Sequence, residues 1–112
     1  MDNKLNAWCE DILRSIEEIY MFLPNKRDFF QFQKDIKTKK AIERNLEIIG
    51  EAAKRISAVT SLQNSREIIG TRNRLAHDYQ NISDEVIWTI INRELPKLKE
   101  EIKNLIDPNY MA

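Results

Sequence analysis

One cysteine, one histidine and two glycines in 112 residues leave little room for several kinds of chemistry. Cys9 alone cannot close an intramolecular disulfide, and one Cys with one His cannot complete a structural zinc site, so any metal chemistry would have to be all-carboxylate. Gly50 and Gly70 stand twenty residues apart, too sparse for a Gly-rich loop that cradles phosphate, whether Walker or dinucleotide-binding. No apolar run approaches the roughly 18 residues that a membrane span needs. The opening residues, Met1-Asp2-Asn3-Lys4-Leu5-Asn6, are polar, unlike a secretory signal, and the expected location is the cytoplasm. Strand-like alternation, hairpin dipeptides, internal repeats and low-complexity segments are missing as well.

What is present is helical. A composition of 42% hydrophobic and 32% charged residues suits a compact helical protein, and the length suits a single domain, 1–112, with one core. Leu5, Trp8, Ile12, Ile16, Ile19 and Leu23 recur at three- and four-residue steps, marking a first helix that Pro24 should end. Asn25 is a candidate cap for a short segment carrying Phe29, Phe30 and Phe32, which reads as packing. A long helix beginning near Asp35 or Thr38 then presents Ile42, Leu46, Ile49, Ala53 and Ile56 as a seam suited to antiparallel neighbours. Ser57, Thr60, Ser61, Asn64 and Ser65 interrupt it before a helix with Ile68, Ile69 and Leu75. After a polar break at Gln80-Asn81, Ser83 should cap a final helix through Ile87, Ile91, Leu95, Leu98, Ile102 and Leu105, kinked at Pro96. The expected fold is an all-α antiparallel bundle of four main helices plus a short extra one.

Eighteen basic and eighteen acidic residues cancel overall but not locally. Residues 26–40 hold six basic side chains against Asp28 and Asp35, a balance of plus four, whereas residues 1–25 balance to minus three. Neutrality overall argues against a general DNA coater. The basic stretch is either a solvated face or a place to hold a short RNA.

The only constellation suited to catalysis surrounds the single histidine, in Thr71-Arg72-Asn73-Arg74-Leu75-Ala76-His77-Asp78-Tyr79. On a helix, Asn73 and His77 stand one turn apart, while Arg72 and Tyr79 share a neighbouring stripe. Arginine offers a planar, permanently charged fork for phosphate oxygens, and histidine is the side chain that exchanges protons near neutrality. Together they suit cleavage of a phosphodiester by its own ribose 2′-hydroxyl, which RNA has and DNA lacks, with no metal or cofactor required. The plainer reading makes Arg72 and Arg74 surface charges, His77 a helix-terminal histidine and Tyr79 a phenol at the edge of the core. Glu51 could pair with Arg72 or Arg74 and orient it, or stay a solvated carboxylate, and Asp78 is comparable. Trp8 and Trp88 read as core or interface anchors rather than base-stacking platforms, and Cys9 as an unreactive small hydrophobe.

Arg72, four residues, His77, one residue and Tyr79 resemble the Arg-x4-His-x-Tyr signature of HEPN-domain toxins of the HepT type, which stand beside a minimal nucleotidyltransferase antitoxin in prokaryotes. Asn45-Leu46-Glu47-Ile48-Ile49-Gly50-Glu51-Ala52-Ala53-Lys54-Arg55-Ile56 resembles the family's long helix, and Val86-Ile87-Trp88 and Glu94-Leu95-Pro96 its last one, so the likeness runs over essentially the whole chain. The resemblance implies a metal-independent endoribonuclease, the toxin of a type VII toxin–antitoxin pair, acting as a homodimer with a composite cleft site. It implies His77 as general acid or base, Arg72 as phosphate clamp, Asn73 as polar helper and Tyr79 as the hydroxyl that the nucleotidyltransferase silences with AMP. The alternative is a non-catalytic nucleotide- or substrate-binding subunit of that nucleotidyltransferase.

Overall fold

The computed structural model describes residues 3–77, 82–106 and 108–109. Among these residues six α-helices follow one another: α1 (Asn3–Phe22), α2 (Phe29–Lys34), α3 (Ile36–Ser57), α4 (Arg66–His77), α5 (Asp84–Thr89) and α6 (Leu95–Leu105). A π-helical turn, Ile90–Glu94, joins α5 to α6 with helical backbone on both sides, so these three pieces form the expected long last helix. With α2 as the short extra element, the arrangement is the all-α bundle the periodicity predicts, and no strand occurs among the described residues.

The core follows the apolar steps. Ile12, Ile16 and Ile19 of α1 are fully buried, as are Ile42, Leu46, Ile49, Ala53 and Ile56 of α3, where the two helices pack along each other. Each such Ile or Leu contributes about 1.5–3 kcal/mol by leaving water. Leu95, Leu98 and Ile102 of α6 close the core against α1, and Lys99 of α6 reaches Glu17 of α1 at 2.8 Å. The helix starts are set by side-chain caps. Asp28, not Asn25, caps α2, its carboxylate accepting from the backbone N–H groups of Phe30 and Gln31. A carboxylate competes well there because the free N–H groups and the helix dipole both favour negative charge. Asp35 caps α3 through the N–H and hydroxyl of Thr38, which hold its carboxyl below the usual range, and Ser83 caps α5 through the N–H of Val86.

Pro96 acts through hydrogen-bond register. Its ring cannot donate and would crowd the carbonyl four residues back. The preceding turn is π-helical, with the N–H of Leu95 bonded to the carbonyl of Ile90, and Pro96 falls at the start of α6 where a missing donor matters least.

The placement of α4 depends on the loop before it. Glu101 of α6 accepts hydrogen bonds from the backbone N–H groups of Gln63 at 2.6 Å and Asn64 at 3.0 Å, tying that loop to α6. From there α4 runs back along α3, with Ile68 and Thr71 buried. Gln80 and Asn81, the expected polar break, lie outside the described residues.

Candidate functional site

Arg72 sits at a close approach of α4 to α3. A Cβ placed on Gly50 would stand 2.2 Å from the Cβ of Arg72 and 2.7 Å from its Cγ, so only glycine lets the arginine stem cross α3 at this point. The next residue of α3, Glu51, meets the far end of the same side chain: its Oε2 lies 2.7 Å from Nη2 of Arg72. The other terminal nitrogen, Nη1, donates to Oδ1 of Asn73 at 3.1 Å. Two neighbouring residues of α3 therefore hold the stem and the head of one arginine. Glu51 also accepts from Nε of Arg55 at 3.2 Å, one turn along α3, so its carboxylate bridges two guanidinium groups.

Arg72, Glu51 and Arg55 line a cleft of about 310 Å³ between α1, α3 and α4, with Trp8 and Asp11 on one wall, Ile48, Glu51 and Arg55 on the second, and Arg72 and Ala76 on the third. Arg72 retains 25% side-chain exposure and Glu51 37%, open enough for a ligand oxygen to reach the guanidinium. An ion pair this exposed contributes about 1 kcal/mol or less to stability, so its main consequence is orientation.

Of the residues expected at the site, Glu51, Arg72 and Asn73 come together, and Glu51 takes Arg72 rather than Arg74 as its partner. Arg74 is exposed and makes no ion pair among the described residues. His77 is the last residue of α4 and is exposed. Five positions separate it from Arg72, which at about 100° per residue places the two side chains roughly 140° apart around the helix. Asp78 and Tyr79 lie outside the described residues. Trp8 is half-buried on the cleft wall, whereas Trp88 packs against Phe29 and Phe32 with ring centroids 5.8 and 5.0 Å away. Cys9 is buried, and burial pushes its thiol up to about 11, so it is no nucleophile at neutral pH.

The profile of the HepT-like ribonuclease family matches residues 10–105, which include the whole cleft except Trp8. The chain belongs to the HepT-like ribonuclease family. On that membership its enzyme class is endoribonuclease. Relatives include the "Probable ribonuclease HepT" of Thermococcus cleftensis, 34% identical over 102 residues, covering 88% of this chain and 92% of that one. A Methanocaldococcus jannaschii protein whose name provisionally assigns it as an RNase is 34% identical over 106 residues, 91% of this chain and 87% of its own. A similarly named protein of Caldanaerobacter subterraneus is 31% identical over 102 residues, 88% and 84% of the two chains. No solved structure matches the chain significantly.

Two features of this HepT-like ribonuclease escaped sequence reasoning. Gly50 looked only like a residue too isolated for a phosphate loop, and its packing role depends on a contact 22 positions away. Arg55 as the second cation on Glu51 was signalled by the i, i+4 spacing of the two residues. Gly50→Ala gains about 1 kcal/mol of helix propensity but forces α3 and α4 apart, which costs about 1–3 kcal/mol and more where relaxation is poor. At 2.2 Å the clash wins. Urea unfolding should show net destabilisation, and unchanged or increased stability would contradict this packing.

Proposed function

We propose that this chain is the toxin of a type VII toxin–antitoxin pair, cutting RNA without a metal ion in a site shared by two copies and silenced by AMP on Tyr79. The observation that carries the reading is the fixing of Arg72, stem by Gly50 and head by Glu51, on the wall of an open cleft. A guanidinium held by a carboxylate on one side is preorganised to receive phosphate oxygens on the other.

In the chemistry proposed, an imidazole takes the proton of a ribose 2′-hydroxyl, the 2′-oxygen bonds to the adjacent phosphorus, and the bond to the 5′-oxygen breaks. A second, protonated imidazole gives its proton to that leaving oxygen, leaving a 2′,3′-cyclic phosphate and a 5′-hydroxyl. Arg72 stabilises the charge on the pentacoordinate phosphorus. One chain has one histidine, set well around the helix from Arg72, and a twofold axis supplies both the second imidazole and the opposing geometry. Asn73 holds one nitrogen of Arg72, Arg74 meets RNA phosphate or the partner copy, and Asp78 is a further carboxylate that orients an arginine, as Glu51 does. The partners are thus a second copy, RNA and a minimal nucleotidyltransferase, all in the cytoplasm, and no helix among the described residues is long and apolar enough to cross a membrane.

Tyr79 stands two positions beyond His77. AMP on its hydroxyl adds phosphate charge and a bulky nucleoside close in sequence to His77, which opposes binding of a polyanion. Intact mass of the protein expressed beside a cognate nucleotidyltransferase should rise by one or more AMP units, with the peptide over residues 72–80 carrying them. Tyr79→Phe should cut RNA as before and stay unmodified; a mass gain persisting in that variant would overturn the assignment. A stable complex with no modification and no cleavage of RNA by the free protein would assign the chain instead as a binding subunit of the nucleotidyltransferase.

A further inference from the structure

The outer face of α3 continues the cleft toward the basic stretch of residues 26–40. At about 100° per residue, Lys37, Lys40, Arg44, Ile48 and Arg55 fall within an arc of roughly 80°, along about 27 Å of helix. All five are exposed. Arg44 and Arg55 line the cleft beside Arg72, and Lys37 and Lys40 carry the stripe outward from it.

The acidic groups nearby leave these cations available. Neither Lys37 nor Lys40 forms an ion pair among the described residues. Asp35 is turned into the cap of α3 by Thr38, and Asp84 is taken by Lys39 at 3.2 Å. Glu43 beside Lys40 is half-buried. Arg44 meets Glu47 at only 3.6 Å with 75% of its side chain exposed, a pair too weak to exclude a phosphate. Arg55 shares Glu51 with Arg72. Glu51 falls within the same arc and Glu47 at its edge, so the cationic part of the face is the stretch of Lys37, Lys40 and Arg44, which a polyanion meets with opposite charge.

We propose that this face of α3 is a track for the backbone of single-stranded RNA, with Lys37, Lys40 and Arg44 each meeting a phosphate on the way to Arg72. The proposal rests on the ribonuclease reading above. Such contacts carry no base specificity; they hold the strand in register and bind it in a salt-dependent way.

The test is binding of a labelled single-stranded 2′-O-methyl oligoribonucleotide, which cannot be cut, over a salt series. The triple variant Lys37→Gln, Lys40→Gln, Arg44→Gln should lower the slope of log K against log salt by roughly 2, about 0.7 per lost contact on a single strand. Its affinity should fall about a hundredfold near 0.1 M salt and converge with the wild type near 1 M, for any base sequence. The charge-keeping triple Lys37→Arg, Lys40→Arg, Arg44→Lys should restore both, with circular dichroism confirming that each variant is folded. An unchanged slope overturns the track. An unchanged slope with an altered mass in sedimentation overturns it in favour of a protein interface. A wild type whose binding depends on the three cations, but which leaves ordinary RNA intact, overturns the ribonuclease reading and keeps the track.

Discussion

His77→Ala is expected to slow RNA cleavage by about 10²- to 10⁴-fold, the usual contribution of a positioned general acid or base. The expectation is sharp because the chain has no second histidine to take over the proton. In a twofold site the substitution removes both imidazoles at once, so the loss should lie toward the upper end. His77 is exposed at the end of α4, so deleting its ring removes little packing and the variant should melt close to the wild type. Single-turnover cleavage at saturating protein isolates the chemical step, while binding of an uncuttable RNA should change little. A His77→Ala protein that cuts at the wild-type rate sinks the acid–base mechanism. A variant that has lost affinity for RNA while cutting normally at saturation makes the imidazole a binding group.

Arg72→Ala should cost about 10²- to 10³-fold in the same rate, the usual penalty for removing one preorganised donor from a charged transition state. More informative is Arg72→Lys, which should recover only a small part. Two different terminal nitrogens of Arg72 are engaged, Nη2 by Glu51 and Nη1 by Asn73, and a single ammonium cannot satisfy both while facing a phosphate. Stability supplies the control. The Glu51–Arg72 pair is part-exposed and contributes about 1 kcal/mol or less, so the rate should fall far more than denaturation can explain. If Arg72→Lys cuts nearly as well as the wild type, a point charge suffices and the oriented fork is irrelevant.

The bundle was legible because helix burial depends on a period the chain carries locally. The seam Ile42, Leu46, Ile49, Ala53 and Ile56 was readable as a stripe, and all five are fully buried. Ser83 was readable as a cap for the same reason: a cap needs only its own side chain and an N–H three residues on. Asn25 misled because Asn and Asp are nearly equal caps by type, and the start of α2 is set by where Phe32 reaches the core. Pro96 was recognisable as a conflict with helix, but the π-helical turn that absorbs it is one of several solutions to that conflict, and packing of Ile90, Ile91 and Leu95 into the core goes with this one.

The candidate site divides along the same line. Arg72, Asn73 and His77 lie within six consecutive positions, so residue type and helical spacing were enough to single them out, and with the flanking segments enough to point to the family. The helical segments, their buried faces and a local cap such as Ser83 are short-range properties, and the sequence by itself determined those. That Gly50 admits the stem of Arg72, that Glu51 chooses Arg72 over Arg74, and that Trp8 shares a cleft with both are matters of contact between helices far apart in the chain. Such contacts depend on how closely α3 and α4 approach and how one is rotated against the other, which the periodicity of either helix leaves free. Only the packed bundle decided them, because close packing of the shared core admits one approach and one rotation.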